Sequence, residues 1–419
     1  MRVVVVGAGI GGLALAQGLR AAGDEVSVAD RDPHPSATGG YRLHLDAAAC
    51  AALRRLLPRP LFEAVRASSA GPATFRQFAV TDHRLRPLVI DPQDDAEERL
   101  LIGRVPLRRL LTHGLGEALH FGREFTHHET GRDGTVVAHF SDGTSARADL
   151  LVGADGVGSR VAHAMAGRPT SAPVGLGGIA GRTPLDAQSR PLLPDLLHLG
   201  PVLALGPGWV GAFLSVHDPT DRTDQAGGED RVPVDLEEPA LVWGLIALER
   251  RYPQDVRHRA DLADVADRLL DRWSPRVRDL VRRSAPDSTA HFGFHAADPA
   301  GDLTPWPPGP ITCLGDAVHA MPPTGGRAAA TAIRDADLLA EHLAPVRAGT
   351  STVAVAVGGY HTGMASYAGA AVRESLVPLA WIRAFSGPAG TLAARVALPV
   401  AAATARGVRA VGRTRPRRQ

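Results

Sequence analysis

Val3-Val4-Val5-Val6-Gly7-Ala8-Gly9-Ile10-Gly11-Gly12 opens the chain, and its reading decides the fold. Four consecutive β-branched residues suit a strand buried on both faces, as in the first strand of a parallel sheet. The glycines that follow have G-x-G-x-x-G spacing; residues 13–22 continue as an amphipathic helix that Gly23 closes. Residues 26–29 form a second strand ending at Asp30, 23 residues beyond Gly7 and close to the ~20-residue offset at which an acid reaches a nucleotide ribose. Gly7 permits the tight turn, Gly9 lets the backbone approach a pyrophosphate, and Gly12 lets the helix pack closely on its strand. Free N–H groups and the positive helix end, beside Gly11, then face the phosphates. The unit is read as a dinucleotide-binding βαβ start.

Two further acid-glycine bends lie far along the chain. Residues 135–140, a turn at Ser141-Asp142-Gly143 and residues 145–150 read as a hairpin feeding an apolar strand that ends in Gly153-Ala154-Asp155-Gly156. A third strand, 310–314, stops at Gly315-Asp316-Ala317-Val318-His319, and Pro322-Pro323-Thr324-Gly325-Gly326 leads into a long helix to Leu343. Between these bends the character changes. Strand-like runs at 174–184, 202–216 and 240–248, separated by loops rich in Pro and Asp, read as an inserted antiparallel sheet. Gly175-Leu176-Gly177-Gly178 has no helix after it and is not read as a second nucleotide site. An extended segment at 41–45 carries Arg42 and His44, and Arg104 stands at the start of a helix whose core is Leu107, Leu110 and Leu111.

At 419 residues the chain has room for two to three units of roughly 150. Its 44% hydrophobic and 21% charged residues exclude a disordered chain. All 46 basic residues are arginine, against 44 acids, so no Schiff base or phosphate-binding lysine is available. The near balance gives no reason to invoke nucleic acid, and Arg406, Arg409, Arg413, Arg415, Arg417 and Arg418 read as a solvated tail. Cys50 and Cys313, the two cysteines, read as buried packing rather than a disulfide or metal pair. The apolar stretch 392–405 is broken by Arg395 and Pro399 and is too short to span a bilayer. Without a leader pattern at the start, the expected location is the cytoplasm.

Together the three bends resemble those of the FAD-dependent aromatic hydroxylases built like p-hydroxybenzoate hydroxylase, the class A flavoprotein monooxygenases. Gly7 to Gly12 with Asp30-Arg31 is similar to that family's ADP-binding motif, Gly153 to Gly156 to its DG motif, and Gly315 to His319 through Asp335 to its GD motif. The resemblance implies an α/β fold: a Rossmann-like FAD-binding domain (1–72, 100–168, 288–360), a substrate-binding β-sheet domain (73–99, 169–287), and a C-terminal helical segment at 361–419, broken at Pro378, Pro388 and Pro399. It implies that Asp30 binds the adenosine ribose and Asp316 the ribityl chain, that Arg42 and Arg104 lie against the flavin or its phosphates, that Asp155 supports cofactor and nicotinamide binding, and that Pro323 lines the flavin face. Gly315, Gly325, Gly326, Ala328 and Ala329 belong to the same cradle. The chain departs from the family at Ala328-Ala329-Ala330, where Gly-Ala-Asn is usual. Backbone N–H groups at a helix start can still face the flavin, and one lost amide weakens binding by only ~1–2 kcal/mol.

By the same resemblance NAD(P)H reduces bound FAD, and a flavin C4a-hydroperoxide passes one oxygen to an aromatic or polyketide-like small molecule. The flavin carries the chemistry, so no catalytic side chain and no metal is assigned. His44, His198, His217 and His295 are the histidines considered for deprotonating a phenol. A monomer or homodimer is expected. The alternatives are a flavin-dependent reductase of an isoprenoid-like substrate and a non-catalytic FAD- or ligand-binding protein. A flavin-dependent halogenase is disfavoured because the chain lacks lysine and a Trp-x-Trp-x-Ile-Pro motif.

Overall fold

The computed structural model describes residues 1–39, 42–93, 98–219, 232–256, 259, 261–285, 287–387, 390 and 393–398. The arginine-rich tail and most of 392–405 lie outside the described residues. Among those described, no helix is long and apolar enough to cross a membrane.

The valine run is β1 (Arg2–Val6), the central strand of a five-stranded parallel sheet. On one side it pairs with β2 (Glu25–Asp30), which continues to β7 (Leu119–Phe121). On the other it pairs with β11 (Leu150–Gly153), which continues to β17 (Ile311–Cys313). All three bends therefore leave the carboxyl ends of strands in one sheet, where open α/β sheets hold their ligands. Helix Ile10–Ala21 covers one face and buries Leu13, Leu15 and Leu19 completely. At ~1.5–3 kcal/mol each, burial of these side chains alone outweighs the helix's modest intrinsic propensity.

A second sheet has seven strands in the order β16 (Ala290–Ala296), β12 (Ala172–Pro184), β15 (Ala240–Leu248), β14 (Val210–His217), β13 (Val202–Gly206), β4 (Gln77–Asp82) and β5 (Pro87–Pro92). One face, with Trp243, Leu245, Leu214 and Ile179, packs on helices Leu262–Leu269 and Pro275–Arg282. The other buries Leu176, Leu203, Leu205 and Ile246 against Leu379 and Ile382. Smaller sheets are β3 (Arg42–Leu45) with β6 (Leu100–Gly103), and β8 (Phe125–Thr130), β9 (Val136–Phe140) and β10 (Ser145–Ala148).

Four sequence expectations are corrected. The run 202–216 is a hairpin, turned at Gly208 and Trp209 with φ of +79° and +58°. The large sheet is antiparallel except that β13 and β4 run parallel. β16 pairs with β12, so residues 290–296, expected in the FAD-binding unit, complete the large sheet. Helix Val353–Phe385 passes through Pro378 unbroken, and residue 361 lies inside it. Proline costs that helix one hydrogen bond. Packing on both sides of it overrides the loss: Tyr360, Met364 and Ala368 are buried in the core of the parallel sheet, and Leu379 and Ile382 on the large one.

Candidate active site: three bends at one sheet edge

Gly7 adopts φ +110°, a backbone region closed to most side chains. A Cβ there would stand 2.2 Å from the carbonyl oxygen of Ala154, so the first bend is seated directly on the Gly153–Gly156 bend. Gly12 allows the helix to meet the strand, since its Cβ would strike the Gly7 oxygen at 2.1 Å. Gly11 points elsewhere. Its Cβ would meet Leu314 at 2.8 Å and Ala332 at 2.9 Å, so it closes the helix onto the third bend and onto helix Ala328–His342. Gly9 is the open position: a Cβ there would have one neighbour, the Ala154 oxygen, at 4.0 Å. The close approaches hold the bends together, and the open glycine leaves the helix start, which no side chain caps among the described residues, open to a ligand.

Asp30 is more occupied than a simple ribose acceptor. Its Oδ2 accepts from Ala8 N–H at 2.6 Å, and its Oδ1 from Asp32 N–H at 2.7 Å. Buried Arg108 also bonds Asp30 (3.1 Å), Asp32 (2.6 Å) and the Ala8 carbonyl (2.7 Å). Asp30 therefore shapes the glycine loop and keeps one Oδ1 lone pair for a ribose hydroxyl. Arg108 was missed from sequence; the available signal was a charged residue beside Leu107 and Leu111 on the apolar side of its helix. Arg31 is exposed.

Asp155 turns toward the start of helix Arg160–Ala166. Its Oδ1 accepts from Ser159 Oγ at 2.5 Å and its Oδ2 from Arg160 N–H at 2.7 Å. Burial raises its carboxyl above the usual range despite these bonds. Its direct effect is to fix the second bend, which lies against Gly7.

In the third bend, Asp316 Oδ1 is shielded from solvent and has no hydrogen-bond partner among the described residues. Burial raises the Asp316 carboxyl, with His319 and Arg104 acting the other way. A buried carboxylate oxygen without a donor is costly unless a ligand satisfies it. The bend itself is bolted down by Asp335, whose Oδ2 accepts from Gly315 N–H at 2.9 Å and lies 2.6 Å from His319 Nε2, and whose Oδ1 accepts from Tyr367 O–H at 2.7 Å. Burial alone would lower the His319 pKa, but the adjacent Asp335 carboxylate outweighs it and holds the imidazole above its ordinary value. Beyond it Pro323 and Gly326 are exposed and Gly325 is half-buried. Helix Ala328–His342 starts with half-buried Ala328 and Ala329 and without a side-chain cap, so its first N–H groups are available to an electron-rich acceptor.

Arg42 and Arg104 frame the junction with the large sheet. Arg104 begins its helix and bears electrostatically on Asp316. Arg42 reaches across to donate to the Val216 carbonyl at 2.8 Å; no carboxylate pairs with it among the described residues, and burial lowers its pKa to about 10. His44 stacks on Phe75, and burial with neighbouring Arg42 brings its pKa to about 4, so it is neutral at physiological pH. Of the other three histidines, His198 is exposed, His295 lies on the edge strand β16, and His217 is buried. His217 Nε2 is 3.3 Å from Glu237 Oε2, without hydrogen-bond alignment, and its Nδ1 has no partner among the described residues. Glu237 pairs with Arg182 at 2.6 Å and presses on Gly103, where a Cβ would meet it at 1.9 Å. Nothing in the sequence spacing marked Glu237.

Three bends from one parallel sheet surround an uncapped helix start, an open glycine and an orphaned carboxylate oxygen. The model of the FAD binding domain family matches residues 1–187 and 268–375. The chain belongs to this FAD-binding family. The match includes all three bends and is the resemblance that their motifs carry to the class A flavoprotein monooxygenases. Among relatives, the dual O-methyltransferase/FAD-dependent monooxygenase CTB3 of Cercospora beticola is 28% identical over 366 residues, which is 81% of this chain and 42% of the relative. The chain thus spans about two fifths of the fungal relatives it matches first. A solved structure from Photorhabdus luminescens, assigned as an FAD-containing monooxygenase, has a TM-score of 0.76 at 28% identity and covers 90% of this chain and 97% of its own. Klebsiella pneumoniae HpxO, solved with FAD and uric acid, shares the fold with a TM-score of 0.75 at 21% identity, covering 95% and 92% of the two chains.

The residues present fit FAD. The pyrophosphate would take the N–H groups from Gly9 to Gly12, since those of Gly7 and Ala8 are bonded to the Ala29 carbonyl and to Asp30, the ribityl chain the free oxygen of Asp316, and the flavin ring the uncapped start at Ala328 and Ala329.

Proposed function

We propose that this chain is an FAD-dependent monooxygenase that hydroxylates a planar aromatic or polyketide-like molecule with electrons from NAD(P)H. When bound, FAD supplies oxygen activation; the protein binds, orients and shields. The observation that carries the reading is the orphaned Asp316 Oδ1, held at the edge where the three bends meet.

The inner face of the large sheet supplies the substrate wall. Ala180, Gly244 and Phe213 lie side by side across β12, β15 and β14. Gly244 and Phe213 are half-buried, although they are in central strands, while Leu203, Leu205 and Ile246 on the same face are buried. A row with so little side-chain volume beside one phenyl ring suits a flat aromatic ring. The FAD-binding unit meets this face through Arg42 at Val216, Gly103 at Glu237, and Gly39, whose Cβ would lie 3.2 Å from Phe292. Ser215 and His217 continue the same face along β14. With Glu237 behind it, paired to Arg182 at 2.6 Å, His217 Nδ1 is the atom placed to take a proton from a substrate hydroxyl.

The test is turnover of FAD-loaded protein with NADH or NADPH and a panel of phenols and nitrogen heteroaromatics under 18O2. Substrate-stimulated NAD(P)H oxidation with one 18O atom in the product supports the proposal. Reduction of an isoprenoid-type double bond without oxygen uptake, or FAD binding without any turnover, would replace it with a reductase or a non-catalytic flavin protein.

A further inference from the structure

The three-stranded sheet carries a group that the flavin chemistry does not use. His127 on β8 stands directly opposite His139 on β9, their rings parallel within 5° and 4.4 Å apart. Glu129 is two residues beyond His127 and so on the same face of β8. One ligand atom from each of the three lies within 4.8 Å of the other two.

Local backbone geometry produces this juxtaposition. The β8–β9 register shifts between Phe125 and His127, and a bulge of this kind re-aims the side chains that follow it. It leaves Thr126 between the His127 imidazole and the His139 backbone carbonyl. Thr126 Oγ1 donates to the His139 carbonyl at 3.0 Å and lies 3.1 Å from His127 Nδ1. With its hydrogen on that carbonyl, the hydroxyl oxygen accepts from His127 Nδ1–H in the tautomer that leaves the lone pair on Nε2, the tautomer assigned here. A hydroxyl that orients a ring through its second nitrogen is the outer-shell arrangement of metal-bound histidine. On the facing strand His139 Nε2 is shielded, has no hydrogen-bond partner among the described residues and is 3.9 Å from Glu129 Oε1.

We propose that His127, Glu129 and His139 form a site for a divalent transition metal of the zinc class. Two imidazoles and one carboxylate match zinc, nickel or copper rather than calcium or magnesium, which take mainly oxygen ligands. Small rotations of the exposed His127 and Glu129 side chains bring the donors to coordination distance, and the solvent side leaves a position for water. The metal acts as a structural brace. At the start of β8, Glu124 pairs with Arg160 at 2.7 Å and the Phe125 carbonyl accepts from Arg160 at 2.9 Å. Arg160 N–H is in turn held by Asp155 of the second bend, so a metal clip across β8 and β9 steadies the strand that anchors this bend. The inference is independent of the substrate proposal.

Calorimetric titration of tag-free, chelator-treated full-length protein with Zn2+ tests it. One saturable equivalent is expected, with a rise in melting temperature. Loss of that equivalent in both His127→Ala and His139→Ala, and a weakening of about 10- to 100-fold in Thr126→Val, support the site; His113→Ala, an exposed histidine elsewhere, leaves it intact. Circular dichroism of the metal-free variants checks that each is folded. Absence of a saturable equivalent, or one retained in the His127 and His139 variants, overturns the proposal.

Discussion

His319 Nε2 lies 2.6 Å from Asp335 Oδ2 with neither side chain exposed to solvent. The pair joins the third bend to helix Ala328–His342, and Asp335 also takes the Gly315 N–H and the Tyr367 hydroxyl. Removing the carboxylate strands a buried imidazole, an amide and a phenol at once. Asp335→Ala should therefore destabilise the protein by about 3–5 kcal/mol, the usual cost of breaking one side of a buried pair. Urea unfolding of the FAD-free protein measures it, and a loss below about 1 kcal/mol would show that the network is not coupled.

A similar argument applies to Arg108, which serves Asp30, Asp32 and the Ala8 carbonyl from inside the fold. Arg108→Met keeps the volume and removes the charge, leaving two carboxylates close together. We expect FAD affinity to fall at least tenfold, about 1.4 kcal/mol, because the glycine loop loses its shape. Arg108→Lys should not rescue it, since an ammonium cannot reproduce the forked contacts. Fluorescence titration with FAD distinguishes these outcomes, and full affinity in Arg108→Lys would contradict the account.

Gly7 and Gly9 should separate folding from binding. Gly7→Ala forces a side chain onto Ala154 at a positive φ and should cost about 3 kcal/mol or more of stability. Gly9→Val meets open space and should leave the FAD-free melting temperature nearly unchanged while abolishing FAD retention. Parallel thermal melts and flavin absorbance decide this, and a yellow Gly9→Val protein would refute the loop's role.

Acid sensitivity has a specific source in His44. Its folded pKa is depressed to about 4 from an ordinary ~6.5, so protonation favours the unfolded chain. The stability it contributes is complete above about pH 6.5 and is lost as the pH falls toward 4. In FAD-free His44→Gln, the decline of melting temperature across that interval should be shallower than in the wild type. An identical decline would remove His44 from the account.

The parallel sheet and its three bends were legible because each uses local rules: a β-branched strand, glycines at fixed spacing and an acid at a strand end. The hairpin at Gly208-Trp209 was hidden because the apolar run continues across it, and Pro378 misled because long-range packing on two cores outweighs a single lost hydrogen bond. Asp30, Asp155 and Asp316 were singled out together, yet only the folded chain reveals that the first two are engaged by backbone N–H groups while Asp316 Oδ1 has no partner among the described residues. Arg108, Tyr367 and Glu237 act through contacts between residues distant in sequence, which spacing alone does not reveal.

Isothermal titration with FAD of the wild type, Gly9→Val and Asp316→Ala reaches the core of the account, because the two substitutions lie in different bends and neither fills the protein's own packing. One FAD per chain is expected for the wild type, with affinity at least tenfold weaker in each variant and FAD-free melting temperatures close to that of the parent. Failure of the wild type to bind FAD stoichiometrically, or wild-type affinity in either variant, would contradict a single cofactor gripped jointly by these bends.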